Sequence, residues 1–277
     1  MPSINTNVAA IKARSNLDKV QRDMDTSIAR LSSGKRITSA ADDAAGSAIA
    51  GRMESQIRGL NQSIRTAKDG QSFVDTAEGA LQEITSLFQR MRELAVQASS
   101  GAVVSADKDY LNIEMAALAD EITAIDANTK FNDRAVFQTT TLSFYHDIDV
   151  SGTAITTPAL EMSATATPGF TKTVVSIGSG VAQAKMSSVL SAIDIAITYV
   201  DGKRANLGAI SNRFDHIVDN LTNVVANTEA AKSRVEDADF AVETTQLTRN
   251  TVLQQAATSM IAQANASKNT ILALIQG

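Results

Sequence analysis

Residues 186–242, MSSVLSAIDIAITYVDGKRANLGAISNRFDHIVDNLTNVVANTEAAKSRVEDADFAV, place apolar side chains in a 3-4-3-4 rhythm. The series runs Met186, Val189, Ile193, Ala196 and Val200, then Leu207, Ile210, Phe214, Ile217, Leu221 and Val224, then Ala231, Val235, Ala238 and Val242, with Lys203 and Thr228 as its interruptions. A repeat of about 3.5 residues sustained for about eight heptads forms a seam that a 3.6-residue helix keeps in line only by supercoiling against a partner. The same period occurs in the first half of the chain, as Ile57, Leu60, Ile64, Ala67, Gln71 and Val74. Shifted by one residue, it continues as Ala77, Leu81, Ile84, Phe88, Met91, Ala95 and Ala98. Two long seams at opposite ends of one chain can close on each other. The pattern therefore predicts a mainly α protein, a long antiparallel helical coiled-coil rod.

Around these seams the elements follow from local chemistry. Leu17, Val20, Met24, Ile28 and Leu31 form an apolar stripe that runs into Ser32-Ser33-Gly34, where a glycine able to turn left-handed ends a helix. Ser39 with Asp42 reads as the cap of a second helix, about residues 43–99, with Asp42 and Asp43 set against its positive start. Gly101 breaks that helix. Ser105 and Asp107 open a third, carried by Leu111, Met115, Leu118, Ile122 and Ile125. Between about 128 and 183 the period changes to two: Leu142, Phe144, Ile148 and Val150 alternate with Ser143, Tyr145, Asp147 and Asp149 before a Ser151-Gly152 turn. This predicts a small β-hairpin region, residues 130–184, rich in serine and threonine. Glu236-Asp237-Ala238-Asp239 crowds charge onto the last seam, where a hinge is expected. Both termini read as helices with apolar stripes, Ile4, Val8 and Ile11 at one end and Leu253, Ala257, Met260, Ala264, Ile271, Leu274 and Ile275 at the other. Alone, such ends bury little surface, so they are expected to be completed by copies of the same chain.

Composition narrows the function. The 277 residues carry 4% aromatics, no tryptophan and no cysteine, so the apolar mass is aliphatic and neither disulfides nor thiolate metal sites are available. The prolines are Pro2, Pro158 and Pro168, which leaves both long flanks free of that helix breaker. A formal net charge of −5, without a long basic block, argues against nucleic acid. Met1 to Lys12 lacks a basic segment followed by an apolar core, and no run of about 18 apolar residues occurs, so neither a Sec-type leader nor a membrane span is expected. His146 and His216 have no partner at metal-ligand spacing, and Gly178-Ser179-Gly180 fails as a dinucleotide loop because Gln183 stands at its third glycine position. Glu236, Asp237 and Asp239 read as a solvated face, and Arg90 and Arg92 as partners of neighbouring acids. No catalytic, cofactor or metal constellation emerges, so the chain reads as a non-enzyme.

Several motifs, in order along the chain, resemble bacterial flagellin: Leu31 to Ile37, Asp42 to Gly46, Asp69-Gly70, Glu78 to Leu81, Arg92 to Gln97, Phe131-Asn132, Leu207 to Ala209, Asn212 to Phe214, Glu236 to Asp239 and Leu253 to Ala256. The resemblance covers about residues 1–137 and 186–277. It implies a structural subunit that self-assembles into the flagellar filament used for motility, with a hook-filament junction protein of the same family as the alternative. It also implies residues 1–42 plus 236–277 as an inner-tube domain and 43–235 as the rod, and a short centre without large outer domains. Secretion to an extracellular flagellum is implied, as are an export chaperone, the export apparatus, and filament cap and junction proteins as partners. Ile4, Val8, Ile11, Leu253, Met260, Ile271, Leu274 and Ile275 then become assembly residues. By the same resemblance, Arg90, Leu94, Gln97 and Glu114 stand where a vertebrate innate immune receptor contacts related chains.

Overall fold

The computed structural model describes residues 6–145, 154–160, 176–179, 181 and 183–276, except for the side chains of 183–184 and 268–276. Helices α1 (Val8–Ser33), α2 (Ala44–Ser99) and α3 (Ser105–Asn128) come first. Strands β1 (Lys130–Phe131), β2 (Arg134–Ala135), β3 (Ser143–Tyr145) and β4 (Ala154–Thr156) follow, and then helices α4 (Gln183–Glu236) and α5 (Phe240–Gln276). The fold is mainly α and coiled-coil, with a small β region and helical ends. Two compact units divide the chain, Met1–Ile57 with Ala226–Gly277, and Arg58–Val225.

In the unit Arg58–Val225 the core is aliphatic with a few phenylalanines. Leu81, Ile84, Phe88 and Met91 of α2 are fully buried, as are Met115 and Ile122 of α3, Ile193, Val200, Leu207 and Phe214 of α4, and Ile155 of β4. Each such side chain contributes about 1.5–3 kcal/mol when taken from water. The helices run antiparallel, as their cross-links show: Gln71 donates to Asp215 at 2.9 Å, Arg204 grips one oxygen of Glu78 through Nε and Nη2 at 2.9 and 2.8 Å, and Arg92 meets Asp194 at 2.7 Å. Gln71, the polar member of the first seam, is thus used at its edge. Lys203, which interrupts the second, donates to the Ala159 carbonyl at 2.8 Å with its ammonium 5.0 Å from the Tyr199 ring centre, tying residues 157–160 to α4.

Among the described residues the strands form two antiparallel pairs, β1 with β2 and β3 with β4. Asn132 and Asp133 form the turn between β1 and β2 with φ of 48° and 62°, the left-handed values a two-residue hairpin turn demands. This hairpin escapes the sequence pattern because two-residue strands show no alternation. The pairing Phe144 with Ile155 bears out the expected hairpin, while its Ser151-Gly152 turn lies outside the described residues. Phe144 then packs edge-on against Phe214 at 5.8 Å, and Phe73 edge-on against Phe131 at 5.9 Å, so both hairpins are keyed to the helices by aromatic rings. On α3, Asn112 accepts from the Ile177 amide and Asp109 from the Ser179 amide, fixing the approach to α4.

Three expectations are corrected. Asp43, not Ser39, caps α2: its Oδ1 accepts from the Gly46 amide at 2.8 Å. Asp42 instead closes the preceding loop, accepting from the amides of Thr38 and Ser39. The second seam is buried through Phe214, but Leu221 is half-buried and Val224 is exposed, so the apolar rhythm outlasts the core.

Candidate functional site

The unit Met1–Ile57 with Ala226–Gly277 is organised around the antiparallel pair α1 and α5. Asn7 caps α1, accepting from the Ala10 amide at 3.1 Å, and its Nδ2 reaches the Ala264 carbonyl at 3.0 Å. Gln254 donates to Gln21 at 2.6 Å, and Arg30 meets Glu243 at 3.1 Å, so partners run in opposite order along the two helices. Gly34 ends α1 with φ of 71°, and its amide donates to the Arg30 carbonyl.

The seam of this pair is only half-buried: Leu17, Val20, Met24 and Leu31 of α1 and Leu247, Ala257 and Ile261 of α5 are neither buried nor exposed. Among the described side chains of the two helices, the buried ones are Ser27, Glu243 and Asn250. The exposed ones include Val8 at 53%, Ile11 at 59%, Leu253 at 45% and Met260 at 63%. An apolar face left in water on two adjoining helices is an interaction surface. Four of the expected assembly residues thus stand outward. Ile4 lies outside the described residues, as do the side chains of Ile271, Leu274 and Ile275.

Where α4 gives way to α5, the expected hinge is a built joint. The chain crosses from Glu236 to Phe240 without helix, and Asp239 starts α5 by accepting from the amides of Ala241 and Val242 at 2.9 and 3.2 Å. Residues 34–36 stitch onto it: the Arg36 amide donates to the Glu236 carbonyl at 2.7 Å, the Arg36 side chain to the Val235 carbonyl at 2.6 Å, and the Ala238 amide to the Gly34 carbonyl at 3.0 Å. Lys35 pairs with Glu236 at 2.5 Å, and Lys232 pairs with Glu54. The acids read from sequence as a solvated face therefore cap a helix and hold a lysine, and among the described residues no histidine, cysteine, aspartate and glutamate cluster fit for a metal occurs.

On the other unit, Arg90 donates to Glu114 at 2.9 Å through Nε and to Glu93 at 3.0 Å through Nη1, an exposed link between α2 and α3. These hydrogen bonds, that to Glu114 first, raise the guanidinium pKa further above its ordinary value. Gln97 is exposed on the same helix. Leu94 is not: at 1% exposure its side chain belongs to the core, so of the four positions implied as receptor contacts only three face outward. Arg92 pairs across to α4 rather than within its own helix. His216 is exposed, and His146 lies outside the described residues.

Sequence reasoning missed Arg30, Glu243 and Asn250. The available signal was spacing: Glu243 and Asn250 stand one heptad apart, which puts both on one face of the helix.

Paired terminal helices that leave Val8, Ile11, Leu253 and Met260 in water have the makeup of a structural subunit that packs against further chains, and the comparisons name its family. Residues 4–141 match the bacterial flagellin N-terminal helical region and residues 190–275 the bacterial flagellin C-terminal helical region. The chain is 38% identical to a flagellin of Halalkalibacterium halodurans and 33% identical to Flagellin A of Vibrio cholerae, each alignment covering 99% of both chains. Among solved structures, Bacillus cereus flagellin is similar with a TM-score of 0.50 and 30% identity over 61% of this chain and 94% of that one. A putative flagellar hook-associated protein from Vibrio parahaemolyticus gives a TM-score of 0.62 over 71% of this chain and 100% of that one, but at 12% identity that likeness concerns the fold alone. The chain belongs to the bacterial flagellin family, and it is a structural subunit of the flagellar filament.

Proposed function

We propose that the outward apolar faces of α1 and α5 are the contacts by which copies of this chain polymerise, with Val8, Ile11, Leu253 and Met260 at their centre and Ile4, Ile271, Leu274 and Ile275 extending them. The observation that carries this reading is that Val8, Ile11, Leu253 and Met260 stand in water beside a seam that is only half-buried: ordering these residues costs about 1–2 kcal/mol of backbone entropy each, and the pair buries too little apolar surface to offset it alone. Neighbouring copies supply the missing burial at about 0.8 kcal/mol per CH₂. On this reading residues 1–42 with 236–277 line the inner tube of an extracellular filament, and 43–235 form the layer around it. The breaks at Gly34 and at Asp237 to Asp239 support those limits. The role is structural rather than enzymatic.

Before export, the same apolar faces need cover, which assigns the C-terminal helix to an export chaperone and then to the export apparatus. Filament cap and junction proteins would meet the ends of the polymer through the surfaces that copies use on each other. Substituting Leu253→Ser with Met260→Ser tests the central claim: the expected result is a folded monomer that sediments as a monomer under polymerising conditions. Filaments of normal yield would refute it.

A second surface rests on the exposed Arg90 and Gln97 and the half-buried Glu114. A planar fork and an amide beside Val96, 48% exposed, combine directional hydrogen bonds with apolar area, the makeup of an interface hot spot. We assign this surface to the innate immune receptor, with Leu94 acting from beneath through packing. A receptor reporter assay on soluble monomer should show a weaker response for Arg90→Ala and Gln97→Ala, and equal signalling by wild type and both variants would remove the assignment.

A further inference from the structure

The seam between α1 and α5 draws on Leu17, Val20, Met24 and Leu31 of one helix and Leu247, Ala257 and Ile261 of the other, all half-buried. An aliphatic seam of this kind has neighbouring registers one heptad apart. The half-buried positions of α5 do little to separate these, because Leu247, Gln254 and Ile261 repeat at seven residues, as do Ala257 and Ala264.

The buried polar residues do separate them. Glu243 is 7% exposed, and its Oε1 lies 3.1 Å from Nη1 of Arg30. Ser27, one turn before Arg30, and Asn250, one heptad after Glu243, are 5% and 6% exposed. The Nε of Arg30 is buried without a hydrogen-bond partner, so the pair is incompletely satisfied. An ion pair of this kind is a weak stabiliser, since desolvation removes much of the Coulomb gain. It is a strong discriminator, since a helix shifted by one heptad would leave Glu243 buried against no cation. A single buried polar residue fixes register and partner in coiled coils by the same asymmetry. Gln21 and Gln254, bonded at 2.6 Å, add a second polar contact toward the other end of α1.

We propose that Arg30 and Glu243, flanked by Ser27 and Asn250, are the register key of the terminal helices: they set the stagger of α1 against α5, and with it the alignment of the exposed faces that carry Val8, Ile11, Leu253 and Met260, at the expense of stability. This rests on the reading that those faces join copies, and it names the residues that align them.

The absence of cysteine from the chain makes the test clean. In filaments of full-length protein, the native-register pair Gln21→Cys with Gln254→Cys should form an intramolecular disulfide about ten times faster than the pair one heptad away, Gln21→Cys with Ile261→Cys. In an Arg30→Leu, Glu243→Leu background that preference should fall to about twofold or less while the protein melts no lower than wild type, the signature of a specificity device rather than a stabiliser. An unchanged preference would overturn the proposal. Should the leucine pair not polymerise, charge exchange decides: Glu243→Arg alone should reduce filament yield about tenfold or more, and Arg30→Glu with Glu243→Arg should restore most of it. A single reversal that assembles normally, or an exchange that restores nothing, overturns the proposal. Neither outcome touches the wider reading, which fails only if filaments survive the loss of Leu253 and Met260.

Discussion

At Gly70 an added Cβ would lie 2.6 Å from Cζ of Phe214 and 3.1 Å from Cγ of Phe144. Both neighbours are rings locked edge to face with each other, so neither can yield cheaply. Gly70→Ala gains about 1 kcal/mol of helix propensity but forces the aromatic cluster apart, at about 1–3 kcal/mol, and the clash should win. Gly79, on the same helix, meets nothing within 4 Å, so Gly79→Ala should stabilise by about 0.5–1 kcal/mol. Chemical denaturation of the two variants should move the midpoint in opposite directions. Asp42 offers a test by titration. Its carboxylate takes the Ser39 amide at 2.9 Å, and this bond first, then the Thr38 hydroxyl, holds its pKa below the ordinary 3.8. A depressed carboxyl pKa gives stability that is present above the unfolded value and is lost as pH falls through the folded one. The loop between α1 and α2 should therefore stay closed through neutral and mildly acidic pH and open only below the ordinary carboxyl range. An NMR titration of the Asp42 carboxyl, compared with the denatured chain, checks the direction, and Asp42→Asn should flatten the acid dependence.

Among elements, the junction of α4 and α5 shows how a helix is interrupted without proline or glycine. Asp239 leaves the helix to cap the next one, while the backbone of residues 34–36 pairs with the chain as it crosses. An N-cap of this type contributes about 0.5–2 kcal/mol. Asp239→Ala should accelerate amide exchange at Ala241 and Val242 and lower filament yield, with amides buried in the unit Arg58–Val225 unaffected. If exchange at those two amides were unchanged, Asp239 would not be the cap that starts α5. The α2 and α4 seams are instead held by apolar burial, with Arg204 and Arg92 at the rim, where exposed pairs contribute about 0–1 kcal/mol.

For the whole chain, the expectation is that stability and assembly come apart. The unit Arg58–Val225 has its own buried core, whereas the pair α1 and α5 leaves its aliphatic seam half-buried and exposes Val8, Ile11, Leu253 and Met260. Deleting residues 267–277 should leave a soluble, helical monomer with a cooperative melt and no filaments. Circular dichroism and electron microscopy on that truncation separate the outcomes: filaments of normal length would show that the terminal stripe is dispensable, and an unfolded monomer would show that the remaining core cannot stand alone.

The heptads from Ile57 to Ala98 and from Met186 to Phe214 made the coiled-coil fold legible, because a period of 3.5 over many turns has one physical use. Gly34 and the acids of 236–239 marked the helix breaks for an equally local reason, left-handed backbone in one case and crowded charge in the other. The motifs around them carried the family. Periodicity alone did not tell which apolar residues are buried: Phe214 and Val224 fit one seam equally well, yet one is in the core and the other in water. Nor did it distinguish Leu94, packed inside, from Arg90, Gln97 and Glu114 outside. Those distinctions depend on which other helix lies opposite, a property of contacts far apart in sequence. The pairing of Arg30 with Glu243 is of that kind: each is an ordinary charged residue in its own helix, and only the antiparallel packing of α1 on α5 buries them together.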